Sequence, residues 1–277
     1  MINQLLLGLL LSTVVGGLGY WRKALTASGL AGAILVGTTI FGFGGWIWGF
    51  VLVTFFISSS LLSRYRRDDK ESVATEFAKG SRRDLGQVLA NGGPGAVLAI
   101  AFASQPEPVL LAAYLGVMAT VTADTWATEL GVLSPVPPRL VTTGREVAPG
   151  SSGGVTSLGI WSSLAGALLI GAVATALTQF ASLARGFGWS LKAVTYPLLA
   201  LAGGGVGSIF DSLLGATVQG IYYCDHCAKE TERPVHHCGH DARLTRGWAW
   251  LNNDIVNLVS SSVGGLVSAL LAWLIWK

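Results

Sequence analysis

Long apolar stretches separated by short polar ones run along nearly the whole chain, and they predict helices that cross a membrane. A spanning helix needs roughly 20 consecutive residues that are mostly apolar. At that length the segments that qualify are 2–20, 24–42, 45–63, 87–104, 108–130, 156–181, 193–220 and 253–276. The runs are continuous rather than alternating, which disfavours a transmembrane β-barrel. We therefore expect an all-α fold, a single transmembrane domain over residues 1–277 with about eight spanning helices.

Composition also indicates an integral membrane protein. Of the 277 residues, 51% are hydrophobic and 12% are charged, whereas soluble domains carry about 25% charged residues. The mean hydropathy is +0.57. The first apolar run has no basic residues before it, and Arg22 and Lys23 follow it, so we interpret it as a span and not as a cleavable signal peptide. The lipid bilayer is an expected partner, and nucleic acid is not.

Basic residues are distributed unevenly between the two faces that eight spans would create. Both termini fall on one face, and 15 of the 18 Lys and Arg residues fall on the other. Short loops rich in Lys and Arg remain on the cytoplasmic side of a membrane. We therefore expect the basic face to be cytoplasmic in a bacterial plasma membrane, or stromal in a thylakoid membrane, with both termini on the opposite face.

Several polar side chains occupy predicted spans, and they gather toward the basic face. Asn91 lies in the fourth span, Asp124 and Glu129 end the fifth, Asp211 lies in the seventh and Asp254 opens the eighth. Ionisable groups at membrane depth are costly and usually mark a functional site. The structural alternative is a carboxyl group that is protonated or paired with an arginine. We predict that the four acids are catalytic.

The segment ADTWATEL, residues 123–130, has a polar arc when it is drawn as a helix. At about 100° per residue, Asp124, Thr128, Thr125 and Glu129 fall within about 140° of one another. Mg²⁺ prefers one or two carboxylates together with phosphate and water oxygens. We therefore predict that Asp124, Glu129 and Asp211 bind Mg²⁺, and a proton relay is the alternative.

A glycine-rich loop, TTGREVAPGSSGGVTSLG (142–159), leads directly into the sixth span. Backbone N–H groups in such a loop and at a helix N-terminus can bind an anion, and an arginine adds a bidentate phosphate contact. No Walker lysine follows, and glycine-rich loops are often only turns. One of Asn252 and Asn253 is expected to be only a helix cap. The predicted phosphate- or nucleotide-binding residues are Arg82, Arg83, Asn91, Gly144, Arg145, Gly150, Ser151, Gly153, Gly154, Thr156, Asn253 and Asn257.

All three cysteines lie in one loop, CDHCAKETERPVHHCGH (224–240), together with the four histidines. A Cys-x₂-Cys pair followed by another Cys and a His has the spacing of a tetrahedral zinc site. Reduced thiols are expected on the cytoplasmic face, so a disulfide is disfavoured. We predict that Cys224, Cys227, His236 and Cys238 bind a structural Zn²⁺ in a loop inserted at 222–250, although the choice among the histidines is open.

Six segments together resemble the phytyl-phosphate kinase family of cyanobacteria and plastids. They are SRRDLGQVLANGG (81–93), ADTWATELG (123–131), GREVAPGSSGGVT (144–156), DSLLGATVQ (211–219), the Cys/His loop and WLNNDIVN (250–257). The resemblance covers roughly residues 20 to 276.

The resemblance implies an enzyme of tocopherol and prenylquinone synthesis that converts phytyl phosphate to phytyl diphosphate. Its donor would be a nucleoside triphosphate, with CTP as one candidate, and Mg²⁺ would be needed. Distant members of such a family can act on other polyprenyl phosphates. Three alternatives are open: a polyprenyl-phosphate transporter or flippase, a cytidylyltransferase that acts on a lipid phosphate, and a scaffold protein whose Cys/His loop binds a partner.

Overall fold

The structure, a computed structural model, describes residues 2–66, 69–70 and 82–277. Eight helical segments in this part of the chain are long and apolar enough to cross a membrane, which confirms the predicted all-α bundle. The helices are α1 (Ile2–Trp21), α2 (Ala27–Thr39), α3 (Trp46–Arg64), α4 (Leu85–Ser104), α5 (Pro108–Gly131), α6 (Ser157–Ala184), α7 (Leu191–Val194), α8 (Tyr196–Thr217) and α9 (Asn253–Ile275). A π-helical turn, Ile40–Gly44, extends α2. Arg67 and Lys79, two of the basic residues counted above, lie outside the described residues.

The four helices that begin at the basic end of the bundle all have side-chain caps. Their N-cap residues are Thr26, Asp84, Thr156 and Asn252, and each side chain accepts a hydrogen bond from a backbone N–H in the first turn. Asp84 also forms a reciprocal capping box with Gln87. Such caps satisfy N–H groups that a helix leaves unpaired, and each contributes about 1 kcal/mol. Side-chain caps therefore stabilise the four helix N-termini at the basic end. Of Asn252 and Asn253, it is Asn252 that caps a helix.

α5 is the central helix, and it carries two of the four predicted catalytic acids. Every residue from Ala112 to Ala123 is buried. Around it pack α3, α4, α6, α8 and α9. Glycines permit the closest approach: a Cβ atom added to Gly116 would lie 2.4 Å from the Gly264 carbonyl oxygen. Small residues at helix interfaces allow this close packing in membranes, so the position of α5 is tightly defined.

The seventh span contains three consecutive glycines, 203–205, and its helix runs through them without a break. α8 is continuous from Tyr196 to Thr217, and the interruption lies earlier, at Thr195 between α7 and α8. The glycines serve packing instead, since a Cβ atom on Gly203 would lie 2.5 Å from the Gly264 carbonyl oxygen. Thr120 donates to the Gly203 carbonyl at 3.2 Å, which further ties α8 to α5.

Two small antiparallel sheets lie in the connections at the basic end. β1 (Arg139–Leu140) pairs with β2 (Gly154–Val155) and closes the glycine-rich loop between α5 and α6. The loop between α8 and α9 contains β3 (Ile221–Cys224), β4 (Lys229–Thr231) and β5 (Arg243–Arg246), in the order β4-β3-β5. The predicted 222–250 insertion therefore contains regular structure. The prediction that residues 1–277 form a single transmembrane domain, with this loop as an insertion in it, is not tested and stays a prediction.

Candidate functional site

Three carboxylates from separate parts of the chain interact electrostatically near the basic end of α5, and we call them the acidic cluster: Asp124, Asp211 and Glu232. Asp124 lies on α5 and Asp211 on α8, and each interacts electrostatically with Glu232 as well as with the other. Both aspartates are partly buried. Like charges that interact in this way repel one another unless a cation or protons offset them. Asp124 and Asp211 are thus electrostatic neighbours, and their binding of Mg²⁺ stays a prediction.

A hydrogen-bonded chain ties the acidic cluster to the glycine-rich loop. Gln219 is buried, with 1% of its surface exposed. Its amide donates to Glu232 Oε1 at 2.9 Å, while its own oxygen accepts from Ser152 Oγ at 2.9 Å. Ser260 on α9 donates to Asp211 Oδ2 at 2.8 Å. The cluster is thus fixed in place by the glycine-rich loop, the Cys/His loop and α9 together.

Glu129 has different partners from Asp124, although both were predicted to share one polar arc. Ser63 Oγ donates to one Glu129 oxygen, and Lys70 Nζ donates to the other at 2.8 Å. The Lys70 side chain is 8% exposed and that of Glu129 is 21% exposed. Thr125 donates back to the Val121 carbonyl of its own helix. Since Lys70 already neutralises Glu129, this residue is a poorer metal ligand than Asp124 or Asp211.

The glycine-rich loop is shaped by residues with positive φ and rests on the end of α8. Gly150 has φ +86° and Gly153 has φ +81°, a backbone region that favours glycine. A Cβ atom on Gly153 would lie 2.5 Å from Ala216, so a side chain there would separate the loop from α8.

Some of the loop groups that were predicted to bind phosphate are already engaged. The N–H groups of Ser151 and Gly154 donate within the loop, to the Ala148 and Ser151 carbonyls. Thr156 caps α6 by accepting from Gly159 N–H at 3.0 Å. Gly144 forms a turn with φ +68°. Arg145 is exposed, and its contact with phosphate stays a prediction.

The predicted residues of α9 lie at its beginning. Asn253 is the first helical residue and Asp254 the second, where an acid is favoured by the helix dipole. The carbonyl of Asn257 accepts from Ser260 Oγ at 3.2 Å, and Ser260 contacts Asp211 in turn. Asn257 is therefore one hydrogen bond removed from the acidic cluster, and the catalytic role of Asp254 stays a prediction.

Arg82, Arg83 and Asn91 lie away from the acidic cluster. Arg82 is exposed and donates to the Leu25 carbonyl at 3.2 Å. Arg83 donates to Ser60 Oγ at 3.1 Å and interacts electrostatically with Glu129. Both Arg83 and Asn91 line a cavity between the first four spanning helices. These residues form a second polar region on the other side of α5.

The four predicted zinc ligands come together in the Cys/His loop. Cys224, Cys227, His236 and Cys238 each place a ligand atom within 4.8 Å of the others. The sulfurs of Cys224 and Cys238 are 3.7 Å apart, close to the ~3.8 Å expected between two thiolates on a tetrahedral zinc with ~2.3 Å bonds. His236 holds the pKa of the Cys238 thiol down at about 5 by hydrogen bonding, which favours the thiolate that binds metal. His226 and His240 also lie near Cys238.

Comparison with known proteins places the chain in a family. Residues 10–265 match the family described as integral membrane protein DUF92. The chain belongs to this family. The resemblance drawn from the six motifs is thus confirmed at the level of the family.

Relatives of this DUF92 protein include plant and archaeal chains. It is 34% identical over 271 residues to Protein PGR of Arabidopsis thaliana, which covers 93% of this chain and 92% of that protein. It is 30% identical over 252 residues to the membrane protein MJ0933 of Methanocaldococcus jannaschii, covering 90% and 86%. Protein VTE6, chloroplastic, of Arabidopsis thaliana is 24% identical over 255 residues, covering 89% of this chain and 65% of that protein. No solved structure matches the chain.

Three residues that form or support the acidic cluster of this DUF92 chain were not predicted from the sequence, namely Glu232, Gln219 and Ser260. Glu232 lies in the Cys/His loop, where an acid among polar residues gives no signal of its own. Gln219 and Ser260 are buried polar residues, and buried polar side chains need hydrogen-bond partners. The position of Gln219 at the end of a span was the one available hint.

Proposed function

We propose that this protein is a membrane isoprenoid-phosphate kinase that converts phytyl phosphate, or a related polyprenyl phosphate, to the diphosphate. The observation that carries the proposal is the acidic cluster at the basic end of α5, joined by Gln219 to the glycine-rich loop. A lipid phosphate keeps its chain in the bilayer and its phosphate at the interface, where this cluster lies. The similarity to VTE6 and the motif resemblance support the same activity. The basic end would face the cytoplasm or stroma.

The proposed reaction needs positioning and charge neutralisation more than a strong base. A non-bridging oxygen of the lipid phosphate attacks the γ-phosphorus of a nucleoside triphosphate, with CTP as the first candidate. The bond from that phosphorus to the β–γ bridging oxygen breaks, and the products are a lipid diphosphate and a nucleoside diphosphate. Because the acceptor is already anionic, no side chain has to remove a proton from it. Most of the catalysis would come from holding the phosphates in line.

Different residues would provide the metal ligands, hold those ligands in place and contact the donor phosphates. Asp124, Asp211 and Glu232 supply the oxygen ligands that suit Mg²⁺, which when bound neutralises charge on the donor phosphates. Ser260 and Gln219 hold two of these carboxylates in place. Arg145, on the exposed turn of the glycine-rich loop, would contact the donor phosphates.

The proposal is tested with purified protein in nanodiscs, phytyl phosphate, Mg²⁺ and each nucleoside triphosphate in turn. We expect stoichiometric lipid diphosphate and nucleoside diphosphate with at least one donor. Release of pyrophosphate with a nucleotide-linked lipid would instead identify cytidylyl transfer. If no lipid product forms with any of the four nucleotides, both the kinase hypothesis and the cytidylyltransferase hypothesis are rejected.

We further propose that the Cys/His loop binds one structural Zn²⁺ through Cys224, Cys227, His236 and Cys238. The metal would stabilise the β3–β5 sheet, which carries Glu232 toward the acidic cluster. Metal analysis of protein purified without chelators should find about one zinc per chain. Cys224→Ser should lose that zinc and lower the thermal stability of the loop, whereas Ser262→Ala, an exchange on the outer surface of α9, should retain it. Zinc-free wild-type protein would refute the assignment.

A further inference from the structure

The Cys/His loop holds more metal-binding atoms than one tetrahedral ion can use. Besides the four proposed zinc ligands, a second group comes together: His226, Cys238 and His240 each place a ligand atom within 4.8 Å of the others. Cys238 belongs to both groups, so its sulfur has three donor neighbours from the first group and two from the second. A sulfur bound to one four-coordinate ion shares that ion with only three other ligands. Two histidines are therefore left over.

The two groups differ in their access to solvent. In the first group, Cys224 and His236 are buried. In the second group, His226 and His240 are exposed and Cys238 is half-buried. A structural zinc site is closed by four protein ligands, whereas a site with three protein ligands leaves one coordination position to water. The second group therefore has the form of an accessible site from which an ion can exchange.

The spacing between Cys238 and His240 suits a shared metal ion. Cys238 Sγ lies 3.5 Å from His240 Nδ1. A sulfur and a nitrogen on one tetrahedral zinc, with bonds of about 2.3 Å and 2.0–2.1 Å, are about 3.6 Å apart. His240 groups with His226 and Cys238, and not with Cys224 or Cys227. It is therefore placed for a second ion and not for the ion of the first group.

The backbone that carries these ligands is fixed by a tight turn. His236 N–H donates to the His240 carbonyl at 2.9 Å, and Gly239 N–H donates to the His236 carbonyl at 2.9 Å. Gly239 has φ +86°, a backbone region that favours glycine. Cys238 and His240 are thus held on one side of a preorganised turn, which lowers the cost of ordering them around an ion.

The two exposed imidazoles need one rotation to face a common ion. The rings of His226 and His240 are stacked, with centroids 4.0 Å apart and planes 11° from parallel. A ring nitrogen binds a metal in the plane of its ring, so two parallel rings do not point at one ion. The Cβ–Cγ torsion of histidine is broad, and both side chains are exposed. One ring can therefore turn toward the ion without displacing a packed group.

We propose that His226, Cys238 and His240 form a second, exchangeable Zn²⁺ site in which the Cys238 thiolate bridges the two ions. Three thiolates and one Zn²⁺ in the first site leave one net negative charge on that centre, which attracts a second cation. Thiolate and imidazole ligands favour Zn²⁺ over Mg²⁺. The inference rests on the structural zinc proposed above and is independent of the kinase activity.

The test is a Zn²⁺ titration of the full chain in nanodiscs against a chromophoric zinc indicator. Wild type should retain one ion through gel filtration and take up a second at least about 100-fold more weakly, since the second site has one thiolate where the first has three. His226→Asn and His240→Asn should each abolish the second ion and keep the first ion and the wild-type Tm. His237→Asn, at an exposed histidine in neither group, should keep both ions.

Cobalt in place of zinc tests the bridge. Two Co²⁺ ions that share one thiolate couple magnetically, so the electron paramagnetic resonance signal of the one-ion protein should fall when the second ion binds. A signal that instead adds would show that the second ion does not share Cys238, and would overturn the proposal. Uptake of a single Zn²⁺ by wild type, or loss of the first ion in His240→Asn, would overturn it while leaving one structural zinc. Protein that binds no zinc would refute the structural site and this one with it.

Discussion

The two sides of α5 differ in how they are packed and in the chemistry that they present. Toward α8 and α9, the contacts are made by Gly116, Gly203 and Gly264 at van der Waals limits, and the polar groups are acids. Toward α1 to α3, large side chains surround a cavity, and the polar groups are basic. Glycines also permit close packing among α1 to α3, since a Cβ atom on Gly49 would lie 2.2 Å from the Phe41 ring. The two sides therefore differ in the charge of their polar groups and in the presence of the cavity, whereas helices pack closely on both.

The largest expected effect is on turnover, from removal of a charge in the acidic cluster. Asp124→Asn keeps the shape of the side chain but removes a predicted metal ligand. We expect kcat to fall about 10²–10³-fold, the range seen when one electrostatic contact to a transition state is lost. Glu107→Gln, an exposed acid at the other end of the same helix, is the matched control. Near-normal kcat in Asp124→Asn would remove Asp124 from the mechanism.

A double-mutant cycle tests whether Glu129 is paired with Lys70, as the structure shows, and not with the acidic cluster. Glu129→Gln leaves the buried Lys70 ammonium without its ion-pair partner. Breaking a buried pair costs about 3–5 kcal/mol, and because Glu129 is 21% exposed we expect a smaller loss of about 1–3 kcal/mol. Lys70→Met combined with Glu129→Gln should recover much of it in thermal unfolding. Additive losses would show that the two residues do not interact.

The smallest expected effect compares a glycine packed between helices with one that has open space beside it. A methyl group on Gly264 would lie 2.0 Å from Thr120 Oγ1, whereas one on Gly17 would meet nothing within 4 Å. Gly264→Ala should destabilise the fold by about 1–3 kcal/mol through overpacking. Gly17→Ala should be neutral or stabilising by up to about 1 kcal/mol. Equal stability of the two variants in the same detergent would contradict the close packing at Gly264.

The sequence predicts the spans and the Cys/His cluster well because each depends on local information. Apolar runs of membrane length and a Cys-x₂-Cys spacing do not require knowledge of which helices are neighbours. Asp124 and Asp211 also stand out in the sequence, since an acid in a span is rare enough to be informative.

The helices and loops that lie next to α5 could not be predicted from the sequence. A helical projection places Asp124 and Glu129 on one arc, but it does not show which helices lie beside that arc. In the structure Asp124 interacts with Asp211 of α8, whereas Glu129 accepts hydrogen bonds from Ser63 of α3 and from Lys70. Glu232 reaches the cluster only because the β3–β5 sheet folds over the end of α8. The cavity results from the way in which glycines and phenylalanines of four helices fit together, and no single segment carries that information.

One kinetic measurement tests the division of labour most directly. Initial rates over a range of nucleotide concentrations are compared for wild type, Asp211→Asn and Arg145→Gln. Loss of a transition-state contact lowers kcat, and loss of a binding contact raises KM. We predict that Asp211→Asn lowers kcat with KM within about 2-fold, and that Arg145→Gln raises KM for the nucleotide about 10-fold with kcat within about 3-fold. The same change in kcat and KM for both variants would contradict the account.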